Sequence, residues 1–269
     1  MPQFTVETLS SIDAIDGVEW NQLAGTEYPF LRHEFLAALE RQGCLGETYG
    51  WLPRHLLLKD SEQNVLAAAP CYLKFNSYGE LVFDWSWADA YQRAGLSYYP
   101  KLVVASPYTP ANGPRILTAD PTQRPHYARA LIEGAVEIAQ QMDVSSLHWL
   151  FVTEEESKWL ESAGLMRRAG CQFHWENLGY RDFDDFLSTL TSRKRKQIKR
   201  ERRRVRDSGI RFRLLRGTEV GDTEWDIYHQ LYRSTFDKRG GIPTLSLEFF
   251  REVAETMGDQ VLLVFAYDG

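Results

Sequence analysis

Laid over itself, the chain repeats one order of elements near its two ends, and that restricts its fold more than any other feature. Phe4 to Leu9 (FTVETL) reads as a strand followed by a polar stretch and Trp20. Phe212 to Leu215 (FRLL), lengthened by Ile210 and Arg211, is followed in the same way by Trp225. Glu34-Phe35-Leu36 opens a helical segment ending at Gly43, and Glu248-Phe249-Phe250 opens one ending at Gly258. An apolar strand comes next in both, Leu56-Leu57-Leu58 before Asp60 and Val261 to Tyr267 before Asp268-Gly269. The offsets, near 208, 205 and 214 residues, differ only by loop lengths. Such a period marks one architectural module used twice. The second copy reaches the turn of its own hairpin and is expected to be incomplete, its last strand lacking a sequence-local partner.

In the first copy the chain turns through Asp60 to Asn64 and returns as Val65 to Phe75 (VLAAAPCYLKF), a hairpin signal with Pro70 at a bulge or edge. Gly79 to Trp85 is expected as a further strand. Pro125 to Met142 carries Ala128, Leu131, Ile132, Ala135, Val136 and Ala139 at helical spacing. Ser146 to Val152 reads as a buried strand, Glu154 to Ala163 as a short helix stopped by Gly164, and Met166 to Trp175 as a closing strand. This order predicts a mixed α/β layer with helices on both faces.

Between the copies, Arg193 to Arg206 (RKRKQIKRERRRVR) holds ten basic residues and one glutamate. Its local charge is +9 in a chain of formal net charge −6, so the other residues together carry −15. Leu187, Leu190, Ile198 and Val205 supply helical apolar spacing, and Asp207-Ser208-Gly209 supplies a stop. Like charges one turn apart destabilise a lone helix by about 0.2–0.5 kcal/mol per pair. An anionic partner or an acidic docking face is therefore expected.

The 269 residues, 43% of them hydrophobic, suffice for two cores of ordinary size. Expected boundaries are residues 1–178 for the first copy, 179–209 for the basic connecting helix and 210–269 for the start of the second. No apolar run is long enough to span a membrane, and MPQFTVETLSSID lacks the pattern of a signal peptide. Cys44, Cys71 and Cys171 are an odd number without close pairing, so a reducing cytoplasm is the default. A pI near 5.6 argues against a general nucleic-acid coat protein, leaving the basic segment as a local device.

Candidate sites follow from residue chemistry. Arg193, Lys194, Lys196, Lys199 and Arg200 can grip phosphates, Arg through a bidentate fork and Lys as a point charge. The alternative is a solvated helix whose stems cover apolar surface. Asp84 and Asp89, set among Trp85, Trp87 and Tyr91, suggest an acidic aromatic cleft for an amine, where either carboxylate could take a proton if burial raised its pKa. The same stretch could instead be loop packing. Tyr98, Tyr99, Lys101 and Arg115, with the Pro107, Pro110 and Pro114 loop, could line that cleft and meet an anionic acceptor. Lys238-Arg239-Gly240-Gly241 offers cations beside a flexible backbone, suited to a phosphate or an ordinary turn. Cys171 and His174 lack a second ligand pair, so no metal is expected; His148 reads as a satisfied core histidine and Cys44 as a non-nucleophilic thiol. No P-loop, dinucleotide fingerprint or serine elbow occurs.

The element order of the first copy, with its ending ESAGLMRRAGCQFHW, resembles the GNAT-like acyl-CoA N-acyltransferase fold. The glycine loop by which that fold binds coenzyme A is replaced by LTADPTQRPHYARAL, so the first copy is not expected to hold coenzyme A in that manner. The stretch from Phe173 to Gly209, with GELVFDWSWADAY, YYPKL, SPYTPANGPRIL and KRGGIPTLSLEFF, resembles the FemAB-like family of tandem acetyltransferase-fold proteins. The resemblance implies transfer of an acyl or aminoacyl group from acyl-CoA or aminoacyl-tRNA to an amine, with a cell-envelope precursor as acceptor and tRNA as a partner. Direct attack by the amine is implied, without a covalent enzyme intermediate, and the donor is expected in the second copy or between the copies, near the basic helix. The alternative is a non-catalytic module that binds a nucleotide-linked precursor or RNA.

Overall fold

The computed structural model describes residues 4–268. In chain order the elements are β1 (Thr5–Leu9), α1 (Gly17–Ala24), α2 (His33–Arg41), β2 (Trp51–Pro53), β3 (His55–Lys59), β4 (Val65–Ala69) and β5 (Cys71–Lys74). There follow α3 (Trp85–Arg93), β6 (Lys101–Val104), α4 (Arg124–Gln141), β7 (Leu147–Trp149), α5 (Glu154–Ser162), α6 (Phe183–Ser188) and α7 (Ser192–Asp207). The chain ends with β8 (Arg211–Arg216), α8 (Asp222–Arg239), α9 (Leu247–Met257) and β9 (Leu262–Tyr267). Gly269, where a hairpin turn is expected, lies outside the described residues, as do residues 1–3.

Strand side chains alternate between faces, and the first sheet, ordered β1-β3-β4 and antiparallel, shows what that periodicity does. Leu56, Leu58, Ala67 and Ala69 pack beneath Ala128, Leu131, Ile132 and Ala135 of α4. Leu57 and Ala68 turn the other way, onto Trp20, Leu31 and Leu36. Helices therefore cover both faces, as expected of the mixed α/β layer. The Asp16 carboxylate starts α1 by accepting from the Val18 and Glu19 amides. Trp20 Nε1 donates to the Leu31 carbonyl at 2.8 Å, fixing the connection between α1 and α2.

The expected hairpin turn forms, with Asp60 Oδ1 accepting from the Glu62 and Asn64 amides. Pro70 does more than bulge the returning strand: it separates β4 from β5, which joins a second sheet ordered β2-β5-β6-β7. Proline lacks the N–H that a continuous ladder requires. Within the second sheet β6 and β7 run parallel, connected through α4.

Two expected strands are absent. Gly79 to Trp85 is a loop leading into α3, because Glu80 and Asp84 both reach Lys101. A strand would hold those two residues about 13 Å apart along its axis, too far to share one ammonium. Met166 to Trp175 is irregular; no sheet edge receives it among the described residues, and Phe173 is 99% exposed.

The second unit again places two helices between two antiparallel strands, β8 pairing with β9 from Arg211↔Tyr267 to Arg216↔Leu262. Leu215, Trp225, Ala254, Leu263 and Phe265 form its core. Its helix α9 packs on α2, and the equivalent residues Phe35 and Phe249 touch edge to face at 5.7 Å. The ends reciprocate: Ser246, capping α9, donates to the Gln42 carbonyl beyond α2, while Arg32, preceding α2, donates to Gln260 beyond α9.

Candidate functional site

The basic segment is helical, as its spacing predicts, from Ser192 to Asp207 with the Thr191 hydroxyl accepting from the Lys194 amide. It does not extend back to Leu187, which is buried in the separate α6. Nor does it dock on an acidic face: no residue of α7 is buried. Its contacts with the rest of the chain are few. Lys199 meets Asp184 at 2.9 Å, Arg202 stacks over the Phe183 ring at 3.9 Å, and Arg195 donates to the Leu190 carbonyl. Arg193, Lys194, Lys196 and Arg200 stand exposed without a carboxylate partner among the described residues, free to meet phosphate.

A different arrangement surrounds Lys101. Lys74 and Lys101 are direct cross-strand partners on β5 and β6, and both are fully buried. Like charges set opposite each other destabilise a ladder, so this pair requires anions. Lys101 Nζ donates to Glu80 Oε2 at 2.8 Å, to Asp84 Oδ2 at 2.5 Å and to Ser77 Oγ at 3.1 Å. The Tyr98 hydroxyl adds a 2.6 Å bond to Asp84 Oδ2, and Lys74 Nζ donates to the Tyr78 carbonyl at 3.0 Å beneath the Trp51 ring. Burial raises the Glu80 pKa despite the attraction of Lys101, and burial lowers that of Lys74 to about 7.

Burial also pushes Asp84 up, but hydrogen bonds from Lys101, Ser77 and Tyr98 outweigh it and hold the carboxyl at about 2. The condition for a proton acceptor, a pKa raised by burial, is not met. Lys101 is likewise enclosed and cannot meet an acceptor from solvent. Arg115, buried elsewhere, donates to the Pro114 and Ala111 carbonyls, while the Glu156 carboxylate accepts from its amide. The cleft expected from these residues is thus dispersed. Trp85, Trp87 and Asp89 lie exposed on α3, Tyr91 and Tyr99 are half-buried, and Asp84 lies beneath them in the core.

Lys238 and Arg239 end α8 and are exposed, followed by Gly240 at φ 66°. Cations at a helix C-terminus complement its dipole, which accounts for both without a ligand. Burial lowers His148 to about 4, and its Nε2 lies 2.8 Å from Ser146 Oγ, as suits a core histidine. Burial raises Cys44, which sits against Ser246. No cluster suited to a metal occurs among the described residues. Ahead of α4, in the connection that ends at Gln123, Asp120 accepts from the Thr122 amide and hydroxyl.

A site between the copies was expected, but the sequence reading named none of the residues that line one. A cleft of about 380 Å³ opens where the two units meet, its walls including Phe35 and Leu39 of α2, Tyr108, Trp225 and Tyr228 of α8, and Phe249 of α9. Its volume lies in the range of small-molecule sites. The lining is apolar and aromatic, with no carboxylate or imidazole, so it can shelter an apolar group and exclude water but supplies no base. The repeat, which sets Phe249 in the place of Phe35, was the available signal.

No helix among the described residues is long and apolar enough to cross a membrane. No curated protein matches the sequence. Among solved structures, an aminoglycoside antibiotic 6'-N-acetyltransferase from Acinetobacter baumannii is similar at 12% identity and a TM-score of 0.38, with 66% of this chain and 100% of that one covered. A probable acetyltransferase is similar at 16% identity and a TM-score of 0.36, with 66% and 98% covered. Both superpositions are loose. A family model, by contrast, matches residues 11–269, and this chain belongs to the FemAB-like family, described by peptidoglycan biosynthesis/recognition.

Proposed function

We propose that the chain serves in N-acyl transfer, moving an aminoacyl group from aminoacyl-tRNA to an amine of a cell-envelope precursor. The observation that carries this reading is α7, which displays ten cations over 16 residues with none of them buried. That length is about 24 Å of helix. A nucleic-acid duplex presents charge along its whole axis, about one per 1.7 Å, whereas a coenzyme concentrates a few phosphates at one end. An extended row of cations matches the former. Family membership supports the envelope acceptor.

In the reaction the neutral amine nitrogen bonds to the ester carbonyl carbon, the bond from that carbon to the tRNA ribose oxygen breaks, and the proton lost by the nitrogen ends on the ribose oxygen as its hydroxyl. The cleft between the units would hold the apolar part of the transferred group away from water, while α7 holds the polyanion. Units 1–178 and 210–269, joined by 179–209, are proposed as two acetyltransferase-like modules sharing that cleft.

The test is a transfer assay with labelled aminoacyl-tRNA or acyl-CoA and an amine-bearing envelope precursor. Label should reach the precursor from aminoacyl-tRNA. Transfer from acyl-CoA alone would overturn the donor assignment. Saturable binding of tRNA and precursor without any transfer would instead establish the non-catalytic module.

A further inference from the structure

The chain from Tyr78 to Trp85 turns its residues inside out. Its two ends meet, the Tyr78 and Trp85 rings lying edge to face at 5.0 Å, so the residues between them form a closed loop. Glu80 and Asp84 are buried and both reach Lys101 in the core. Leu81 and Phe83 are exposed instead, Phe83 to 73%. A surface loop in water ordinarily keeps its carboxylates outside and its large apolar side chains inside. The reverse arrangement suits a loop whose outer surroundings are apolar.

The backbone points the same way. Leu81 and Phe83 adopt left-handed φ values of 62° and 49°. Glycine or asparagine enters that region readily, whereas a bulky apolar residue is strained there. An apolar side chain that is strained and also exposed does little for folding. Strain of this kind persists where a function outside the fold retains the residue.

Neighbouring residues extend the surface. Phe75 and Tyr78 before the loop, Trp85 and Trp87 on α3, and Leu96 just beyond α3 are all exposed, and α3 buries none of its residues. Contiguous apolar sets of this kind mark contacts with proteins or with membranes. Charge decides between them. From residue 75 to residue 96 the exposed charges are Asp89 and Arg93, one of each sign. Protein partners are ordinarily held in register by complementary charges, and anionic lipid or nucleic acid would call for clustered Lys and Arg. This surface offers neither. Apolar tips beside amphipathic Trp and Tyr rings match the layers of a bilayer surface, where such rings settle at headgroup depth above the acyl chains.

We propose that this loop and α3 dock on the surface of a lipid bilayer, Leu81 and Phe83 entering the acyl region while Tyr78, Trp85 and Trp87 rest among the headgroups. The contact is peripheral, and the ion cluster at Lys101 is the mount that keeps the apolar tips outward. Vesicle binding is read without acyl donor or acceptor, so its absence would leave the transfer reading untouched.

The intact chain would be mixed with vesicles of phosphatidylcholine, whose zero net charge gives the cations of α7 nothing to hold, and bound protein would be separated by flotation. The expected result is saturable binding that high salt leaves unchanged, with tryptophan fluorescence quenched when the lipid carries bromine on its acyl chains. Phe83→Asn should weaken binding about tenfold, as loss of one inserted aromatic side chain does, and Leu81→Asn should weaken it severalfold. Neither should lower the melting temperature, because asparagine accepts the left-handed backbone. Weakened binding with undiminished stability is a result that a purely structural role for these side chains would not give. Should the two variants melt early, Trp87→Ala, altered at an exposed position on α3, supplies the second test. No flotation of the folded wild type, or flotation undiminished in Phe83→Asn and Trp87→Ala, would overturn the proposal. Self-association in lipid-free solution that Phe83→Asn abolishes, without flotation of the wild type, would replace the bilayer with a second copy of the chain.

Discussion

Lys74 and Lys101 face each other on neighbouring strands, out of water, where Lys101 holds both Glu80 and Asp84 and Lys74 donates to the Tyr78 carbonyl. The cations of α7 stand in solvent, and Lys199 with Asp184 is the one ion pair that joins them to the rest of the chain among the described residues. Position explains the difference. A charge on an internal strand must be neutralised for the chain to fold, whereas charges on an exposed helix repel one another at small cost and remain available. The first set shapes the molecule and the second addresses something outside it. A variant that removes a buried lysine should therefore act on stability, and one that removes α7 cations should act on binding.

The largest effect should come from Lys101→Met. Removing the ammonium leaves two buried carboxylates without their shared partner, and breaking a buried pair on one side costs about 3–5 kcal/mol. Chemical denaturation would measure it. Combining Lys101→Met with Glu80→Gln and Asp84→Asn should recover much of the loss, since Lys74 is then the one buried ionisable group left in the cluster and its amine, already lowered to about 7 by burial, can shed its proton. A triple variant as unstable as the single one would show that packing around Lys101, rather than charge matching, holds the loop.

A smaller effect is expected in the pH dependence of stability. Burial, with help from Lys101, lowers Lys74 to about 7 against an ordinary value of 10.5, outweighing the attraction of Glu80. Between those two values the unfolded chain binds more protons at this site than the folded one, so this group's contribution to stability rises with pH. Lys74→Met removes that dependence. The wild type should gain on the variant as pH rises from about 7 towards 10.5, by at most about 1.4 kcal/mol per pH unit. A constant difference across the window would place the Lys74 amine in a more watery setting than its burial implies.

The parts of the molecule legible in the sequence are those decided locally. The order of elements announced a layer with helices on both faces, the apolar spacing of Ala128 to Ala139 announced α4, and the repeat set a strand and helix before Leu56 to Leu58 as before Val261 to Tyr267. Gly79 to Trp85 was misleading because its conformation is set by Lys101, which lies 17 residues beyond Asp84. Met166 to Trp175 has the residues of a strand but no available edge. The cationic helix was readable as a helix, yet its exposure was not: amphipathic spacing implied a docked face, and the structure leaves Ile198 half-buried and Val205 exposed. As for the cleft, its walls come from residues more than 200 apart, and only the equivalence of Phe35 and Phe249 hinted that they meet.

The smallest effect on stability, and the sharpest contrast with Lys101, should follow from Arg193→Gln, Lys196→Gln and Arg200→Gln together. All three side chains are exposed and unpaired, so their loss removes repulsion along α7 and no contact elsewhere. Substitutions at such positions usually change stability by no more than about 0.5 kcal/mol each. Binding to tRNA should respond differently. Each phosphate neutralised by the protein contributes about 0.7–0.9 to the slope of log affinity against log salt, depending on strandedness. Removing three contacts should therefore flatten that slope by about 2–3 and weaken binding at low salt most. Titrations at several salt concentrations, set beside melting curves of the same variant, would separate the two roles. A variant that melts early yet keeps the full salt slope would invert the comparison, making α7 a structural strut and leaving the polyanion to be held elsewhere.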